Sequence, residues 1–445
     1  MLLKLSKFFL LASLFAAVWG TSGTVGASLL LMLVPACLAF LFAMWDSQKS
    51  EMISLHSCAT NPFLIPGVLM LMMTAIHTLN PDLRVYEYCD SQIVFPLKHL
   101  EFLPSGIIRD LGYRDSFFAL LQLVATWCAA MASWKLLKIG AFRVFFIKFF
   151  AINGLLFAIL GIVQDLTNAM GLYWVIPTNS LFYSSFYLRT SAGNFIFMAL
   201  LCCISWAVSE FKAGNYTASF ALFAGGGISI FSCVLASSEG VDGILIISFF
   251  AVSVYLLWRF IRSKLGGAPA TAIVSMAILL LGVSVYVIFE RQIQSRIVYE
   301  LESPNSSLCP RIKINKVSVK IFESSPIFGV GAGSYGVRVE MLLQSKKSDF
   351  GFRNNSFINA AHNDLFEYLC EYGLVGGACV LLCVLLWIGR LFPIDWSVHN
   401  TIFLWGCIMS GMHSFFDLHL HIPSTMFAFV FLMSLAAGNF RTSES

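Results

Sequence analysis

Long apolar stretches alternate with short polar ones along nearly the whole chain. A helix needs roughly 20 apolar residues to cross a hydrocarbon core. About twelve stretches meet that length, near 4–21, 26–44, 62–79, 115–134, 143–163, 193–210, 216–236, 242–258, 270–289, 373–389, 401–416 and 422–439. They predict an all-α, polytopic integral membrane protein of about twelve transmembrane helices. The first stretch follows Lys4 and Lys7 as the apolar part of a signal peptide would. However, residues 21–25 offer no convincing cleavage site and a second span follows at once, so it is read as a helix.

The short loops orient these spans, because basic residues collect on the cytoplasmic side. Lys4, Lys7, Lys135, Lys138, Arg143, Lys212, Arg259, Arg262, Lys264, Arg390 and Arg441 fall on one side if the count holds. Both termini are then expected in the cytoplasm. The opposite face receives 80–114, 164–192, 237–241, 290–372 and 417–421. The loop 290–372, between the ninth and tenth spans, is too long to vote on topology. It has no counterpart earlier in the chain, which argues against transporter folds built from two repeated halves.

Composition agrees. The 445 residues are 58% hydrophobic and 12% charged, against about 25% charged in soluble domains. The 42 Phe suit lipid-facing helices. A net charge of +4, spread thinly, gives no support to nucleic-acid binding. Most of the 12 Cys lie in apolar runs and behave as small hydrophobes. Cys89, Cys309 and Cys370 fall in polar segments, where a disulfide between two of them can form if those segments are extracytoplasmic.

The apolar pattern breaks most sharply between Pro326 and Gly377, which begins as PIFGVGAGSYG and ends AHNDLFEYLCEYGLVGG. Gly331, Gly333 and Gly336 match the GxGxxG dinucleotide pattern, which carries meaning only between a strand and a helix. In an external loop, a tight turn with positive φ or close backbone approach is the better reading. His362 precedes Leu365, Phe366 and Leu369 at helical spacing, and Asn359 would cap that helix and place His362 in its first turn. A neutral imidazole there suits a general base; a structural histidine bonded to loop backbone is the other reading. Arg189 stands just before the sixth span. Arg311 opens a stretch with Lys313, Lys316 and Lys320 that reads equally as alternating or as an amphipathic surface helix at 311–323. Arginines beside the bilayer suit a phosphate-bearing lipid head group through their bidentate fork, or simply snorkel. The last polar set is His413, Asp417, His419 and His421. No metal-ligand spacing accompanies it, so a polar turn between two helices is expected and no metal. Ionisable His413 at membrane depth still counts as a functional candidate.

These motifs and their order resemble the O-antigen ligase and polymerase superfamily of Wzy/WaaL-like membrane glycosyltransferases. The resemblance runs from about 140 to the C-terminus and is strongest over 311–423. It divides the chain into N-terminal helices (1–140) and an O-antigen ligase-like domain (141–445) holding the periplasmic loop 290–372. It implies a GT-C-like fold and an inverting, metal-independent enzyme of the bacterial inner membrane, without cofactor. Such enzymes pass a glycan from undecaprenyl diphosphate to an acceptor on lipid A–core or on a lipid-linked glycan, sometimes with a chain-length regulator. The family's essential histidine falls on His362 and its diphosphate arginine on Arg311. Asn363, Glu367, His413 and Asp417 stand as supporting residues.

One departure is evident. Many members carry Ser-Arg-Gly after the seventh span, whereas this chain reads Ser237-Ser238-Glu239-Gly240. Arg189 or Arg291 is expected to supply the missing charge, with Arg189 preferred. The competing readings are a lipid-glycan flippase, which the nearly charge-free spans disfavour, and a catalytically inactive membrane scaffold.

Overall fold

The computed structural model describes residues 1–23, 26–47, 61–88, 91–109, 115–178, 181–236, 239–265, 308–346, 360–392 and 396–438. Among them lie thirteen α-helices: α1 Leu2–Trp19, α2 Gly26–Ser47, α3 Leu64–Leu79, α4 Ser116–Leu136, α5 Gly140–Leu166, α6 Arg189–Lys212, α7 Tyr216–Leu235, α8 Glu239–Leu265, α9 Leu308–Ser324, α10 Tyr335–Lys346, α11 Asp364–Leu391, α12 Val398–His413 and α13 Pro423–Ala436. Eight helices are long and apolar enough to cross a membrane, and α3 and α13 are shorter apolar helices. The expected span at 270–289 and Arg291 lie outside the described residues.

The chain forms two compact units. One comprises Met1–Val241 and Val317–Ser445, the other Asp242–Lys316. The smaller unit holds most of α8 and the first turns of α9, with Arg311 in them. The amphipathic helix read at 311–323 is α9.

In the larger unit α6 is the most enclosed span, with 83% of its apolar window buried. Its small and aromatic residues explain this. Phe195 sits among Phe150, Phe157 and Phe186, with ring centroids 5.2–5.6 Å apart. Phe146 continues the stack to Phe431 of α13. These rings are fully buried, so part of the phenylalanine content builds the bundle interior and does not face lipid. Others, such as Phe8, Phe145, Phe220 and Phe249, do point outward.

The segment 80–114 is more ordered than a loop. It contains β1 Pro81–Tyr88, β2 Ser91–Pro96 and β3 Gly106–Arg109, with β2 antiparallel and β3 parallel to β1. Alternation explains it: Leu83 and Val85 turn inward with Ile107 and pack on Val337 of α10, while Arg84 points out. Asp82 binds the guanidinium of Arg338 through both carboxylate oxygens, at 2.7 Å for Oδ1.

The stretch from Pro326 to Gly377 is one structural unit. Helix α11 is broken at Gly373, whose φ of 61° and ψ of −161° are non-helical. The freed groups are satisfied by the glycine-rich loop alongside. Leu374 N and Val375 N donate to the carbonyls of Pro326 and Ile327 at 2.9 and 3.1 Å. Val330 N and Gly331 N donate to the carbonyls of Cys370 and Glu371 at 2.8 and 3.1 Å. Backbone groups lost to the kink are thereby re-paired. The approach is close enough that a Cβ on Gly329 or on Gly373 would strike the opposing backbone, and both have positive φ. The apolar part of α11 begins at the kink, where the tenth span is expected.

Candidate active site

Helix α11 starts at Asp364, not upstream at the expected cap. Asn359 lies outside the described residues, and the cap is Asn363, whose Oδ1 accepts from Phe366 N at 3.1 Å. His362 therefore precedes the helix and is not in its first turn. Its φ is +49°, a left-handed conformation uncommon outside glycine although less so for His. The turn is held by Glu367, whose Oε2 accepts from Ala361 N at 2.7 Å. His362 is left exposed while Asn363, Asp364 and Glu367 are buried.

The loop between α12 and α13 meets this turn. His362 Nδ1 is 3.3 Å from Asp417 Oδ1. The side chain of Asp417 is 7% exposed, and its Oδ1 also accepts from Leu418 N at 2.8 Å. Burial pushes the Asp417 carboxyl up, but the His362 hydrogen bond and the charges of His419 and His362 outweigh it and hold it well below the usual carboxylate range. With Asp417 ionised, Nδ1 of His362 carries the proton and Nε2 is the basic nitrogen on the exposed side.

Behind this pair lie two more imidazoles. His413 and His419 stack with centroids 3.9 Å apart and planes tilted by 39°. The ligand atoms of His413, Asp417 and His419 lie within 4.8 Å of one another, so they are the residues to consider for a metal. The same group is thus both a packed, buried imidazole pair and a candidate ligand set. Burial holds His419 below the usual imidazole value. His421 goes the other way. Burial lowers it, but Glu367, Asp364 and Glu371 around it raise it to about 9. It bonds Asp364 Oδ1 at 2.7 Å and stands 3.8 Å from Glu367 Oε1.

Helix α6 delivers Arg189 to the same end. Ser191 Oγ donates to the carbonyl of Leu418 at 3.2 Å, and Arg189 is the first residue of α6. The Nε of Arg189 is buried and lacks a hydrogen-bond partner among the described residues. The turn that departs from Ser-Arg-Gly also arrives here, since a Cβ on Gly240 would collide with Nε2 of His413. Ser237, Ser238 and the side chain of Glu239 lie outside the described residues. Arg311 belongs to the other unit.

The GxGxxG reading fails on a physical point. Its glycines do take turn conformations, with φ of 106° at Gly331 and 69° at Gly333. The helix N-terminus that would face a phosphate is filled by the protein itself: Glu371 Oε1 accepts from Tyr335 N, the first residue of α10, at 3.2 Å. Both backbone groups of Ala332 are bound: its N–H donates to His77 Nδ1 at 3.1 Å and its carbonyl accepts from Ser116 Oγ at 2.8 Å.

Cys370 is a free thiol whose Sγ donates to the carbonyl of Ser318 at 3.1 Å, so it joins no disulfide. Cys89 and the side chain of Cys309 lie outside the described residues.

The sequence shows no sign of a site role for His77 or Ser116, and none of the Asp364–His421 pairing. His77 sits inside one apolar run and Ser116 at the edge of the next, where nothing marks either as a partner of a loop more than 200 residues away. Asp364 and His421 were in view within the motifs, but their pairing is a product of the fold. No curated protein matches the chain in sequence. Residues 224–381 match the family model described as O-antigen ligase; this segment carries the glycine-rich loop, His362 and most of α11, and it supports the resemblance to the O-antigen ligase and polymerase superfamily.

Proposed function

We propose that this protein is an inverting, metal-independent glycosyltransferase. It transfers or polymerises an undecaprenyl-diphosphate-linked glycan onto an acceptor sugar at the periplasmic face of the bacterial inner membrane, with both termini cytoplasmic. The observation that supports this best is the pairing of exposed His362 with buried Asp417, at the end of the bundle where the family segment meets the α12–α13 loop. Asp417 fixes the His362 tautomer and stabilises the imidazolium formed when Nε2 takes the acceptor hydroxyl proton. That oxygen attacks the anomeric carbon from the face opposite the diphosphate. The bond to the diphosphate breaks and its electron pair leaves with the lipid carrier.

Arginine binds the diphosphate through charge-assisted bonds; Arg189 and Arg311 are each proposed for this role. Asn363 and Glu367 hold the turn, and His413 backs Asp417 from the imidazole stack. The acceptor is lipid A–core if the protein is a ligase and a second lipid-linked glycan if it is a polymerase; a chain-length regulator would act with the latter.

Replacing His362 by Ala in the native host tests the reading. Loss of the surface polysaccharide with normal protein level in the membrane is expected, and normal polymer from this variant would end it. In a deletion strain, single repeat units on lipid A–core mark a polymerase, and long chains left on the carrier mark a ligase.

A further inference from the structure

His362 and Asp417 come from segments far apart in the chain, their bond is long, and His362 is exposed. Something else must keep the segments together. Asp364 touches the α12–α13 loop at both ends of the part that carries Asp417. Its own N–H donates to the carbonyl of Ser414 at 2.8 Å. Its Oδ2 accepts from His419 N and Leu420 N, each at 2.9 Å. Its Oδ1 is 2.7 Å from His421 Nδ1. Asp417 lies between Ser414 and His419, and His362 is two residues before Asp364 in the chain.

We propose that Asp364 is a positioning residue for the His362–Asp417 pair, an inference that rests on His362 being the catalytic group. Asp364 is 1% exposed. A carboxylate buried so deeply is retained only with its lone pairs satisfied, and here the loop satisfies them. Bonds to an ionised group are roughly twice as strong as neutral ones, so the clamp depends on charge as well as shape. Asp364→Asn preserves the shape: its amide oxygen can still accept the His419 and Leu420 N–H groups. It removes the charge facing His421.

The test is steady-state transfer by the purified full-length protein, using as donor the lipid-linked glycan extracted from the deletion strain. Asp364→Asn is expected to lower kcat about 10-fold or more while leaving donor KM within about 2-fold. Asp417→Asn should do likewise. Their combination should fall no more than about 2-fold below the weaker single variant, because both disturb one pair. Multiplicative losses, a change in KM alone, or wild-type kcat in Asp364→Asn would overturn the inference. In each of those cases an inactive His362→Ala leaves the proposed function standing, whereas an active His362→Ala removes both. If Asp364→Asn does not accumulate in the membrane, His421→Gln cuts one arm and leaves the two peptide bonds. A kcat loss non-additive with Asp417→Asn then supports the inference, and no loss or a multiplicative one overturns it.

Discussion

Nδ1 of His362 faces Oδ1 of Asp417 at 3.3 Å across 55 residues of chain. One partner is on the surface and the other is buried. A base works from the exposed side only if the buried side holds its tautomer. His362→Ala should therefore lower transfer by about 10²–10⁴-fold, the range for a general base. Asp417→Asn should cost less, because the imidazole remains. A single-turnover assay with extracted lipid-linked glycan would rank the two, and the reverse order would contradict the pairing.

Arg189→Ala should weaken donor binding roughly 10- to 100-fold, as loss of a hydrogen bond to a charged group does, and slow transfer with it. Equilibrium binding of the extracted lipid-linked donor to detergent-solubilised protein would measure this. Wild-type values for both binding and transfer would show that Arg189 does not replace the arginine missing from the Ser237–Gly240 turn.

His421 and Asp417 predict opposite pH behaviour in stability. The folded value of His421 is raised to about 9. Its stabilisation is complete below the unfolded value, about 6.5, and fades as pH rises through about 9. The difference in stability between wild type and His421→Gln should thus shrink between pH 6.5 and 9.5, by up to about 3 kcal/mol. Asp417 is held low, so its stabilisation is present above the unfolded value, about 3.9. It is lost progressively as pH falls below that value toward the low folded one. The difference between wild type and Asp417→Asn should stay flat from pH 7 to 5. Thermal unfolding in detergent, followed by tryptophan fluorescence, reads both.

Gly329→Ala and Gly373→Ala should each destabilise by about 2 kcal/mol or more. Each combines positive φ with a clash against the partner backbone. Membrane accumulation and melting temperature would report it. Gly389, around which a Cβ meets nothing within 4 Å, is the control and should tolerate Ala.

The apolar helices were legible because hydropathy is a local signal; eight of the described ones are long and apolar enough to cross a membrane. Ser191, Gly240, Asp364 and Leu418, from four of the stretches expected on one face, come together at one end of the larger unit. The helix at His362 was legible in kind, but its start was not. Asn359 and Asn363 are equally good caps on paper, and the choice depends on Glu367 reaching back to Ala361 N. The sheet at 81–109 is hard to read from sequence because its alternation is brief and needs Val337, far away in the chain, to give it an inner face. The joining of the glycine-rich loop to α11 is invisible in the sequence for a similar reason. Two motifs some 40 residues apart share one set of backbone hydrogen bonds, and only the kink at Gly373 makes those groups available.

The close approach of Gly240 to His413 sets a steric limit at the departing turn. A single added methyl there would meet Nε2 of His413 and press it against His419. The packing of the imidazole pair therefore fixes position 240 by volume, whatever charge the turn carries.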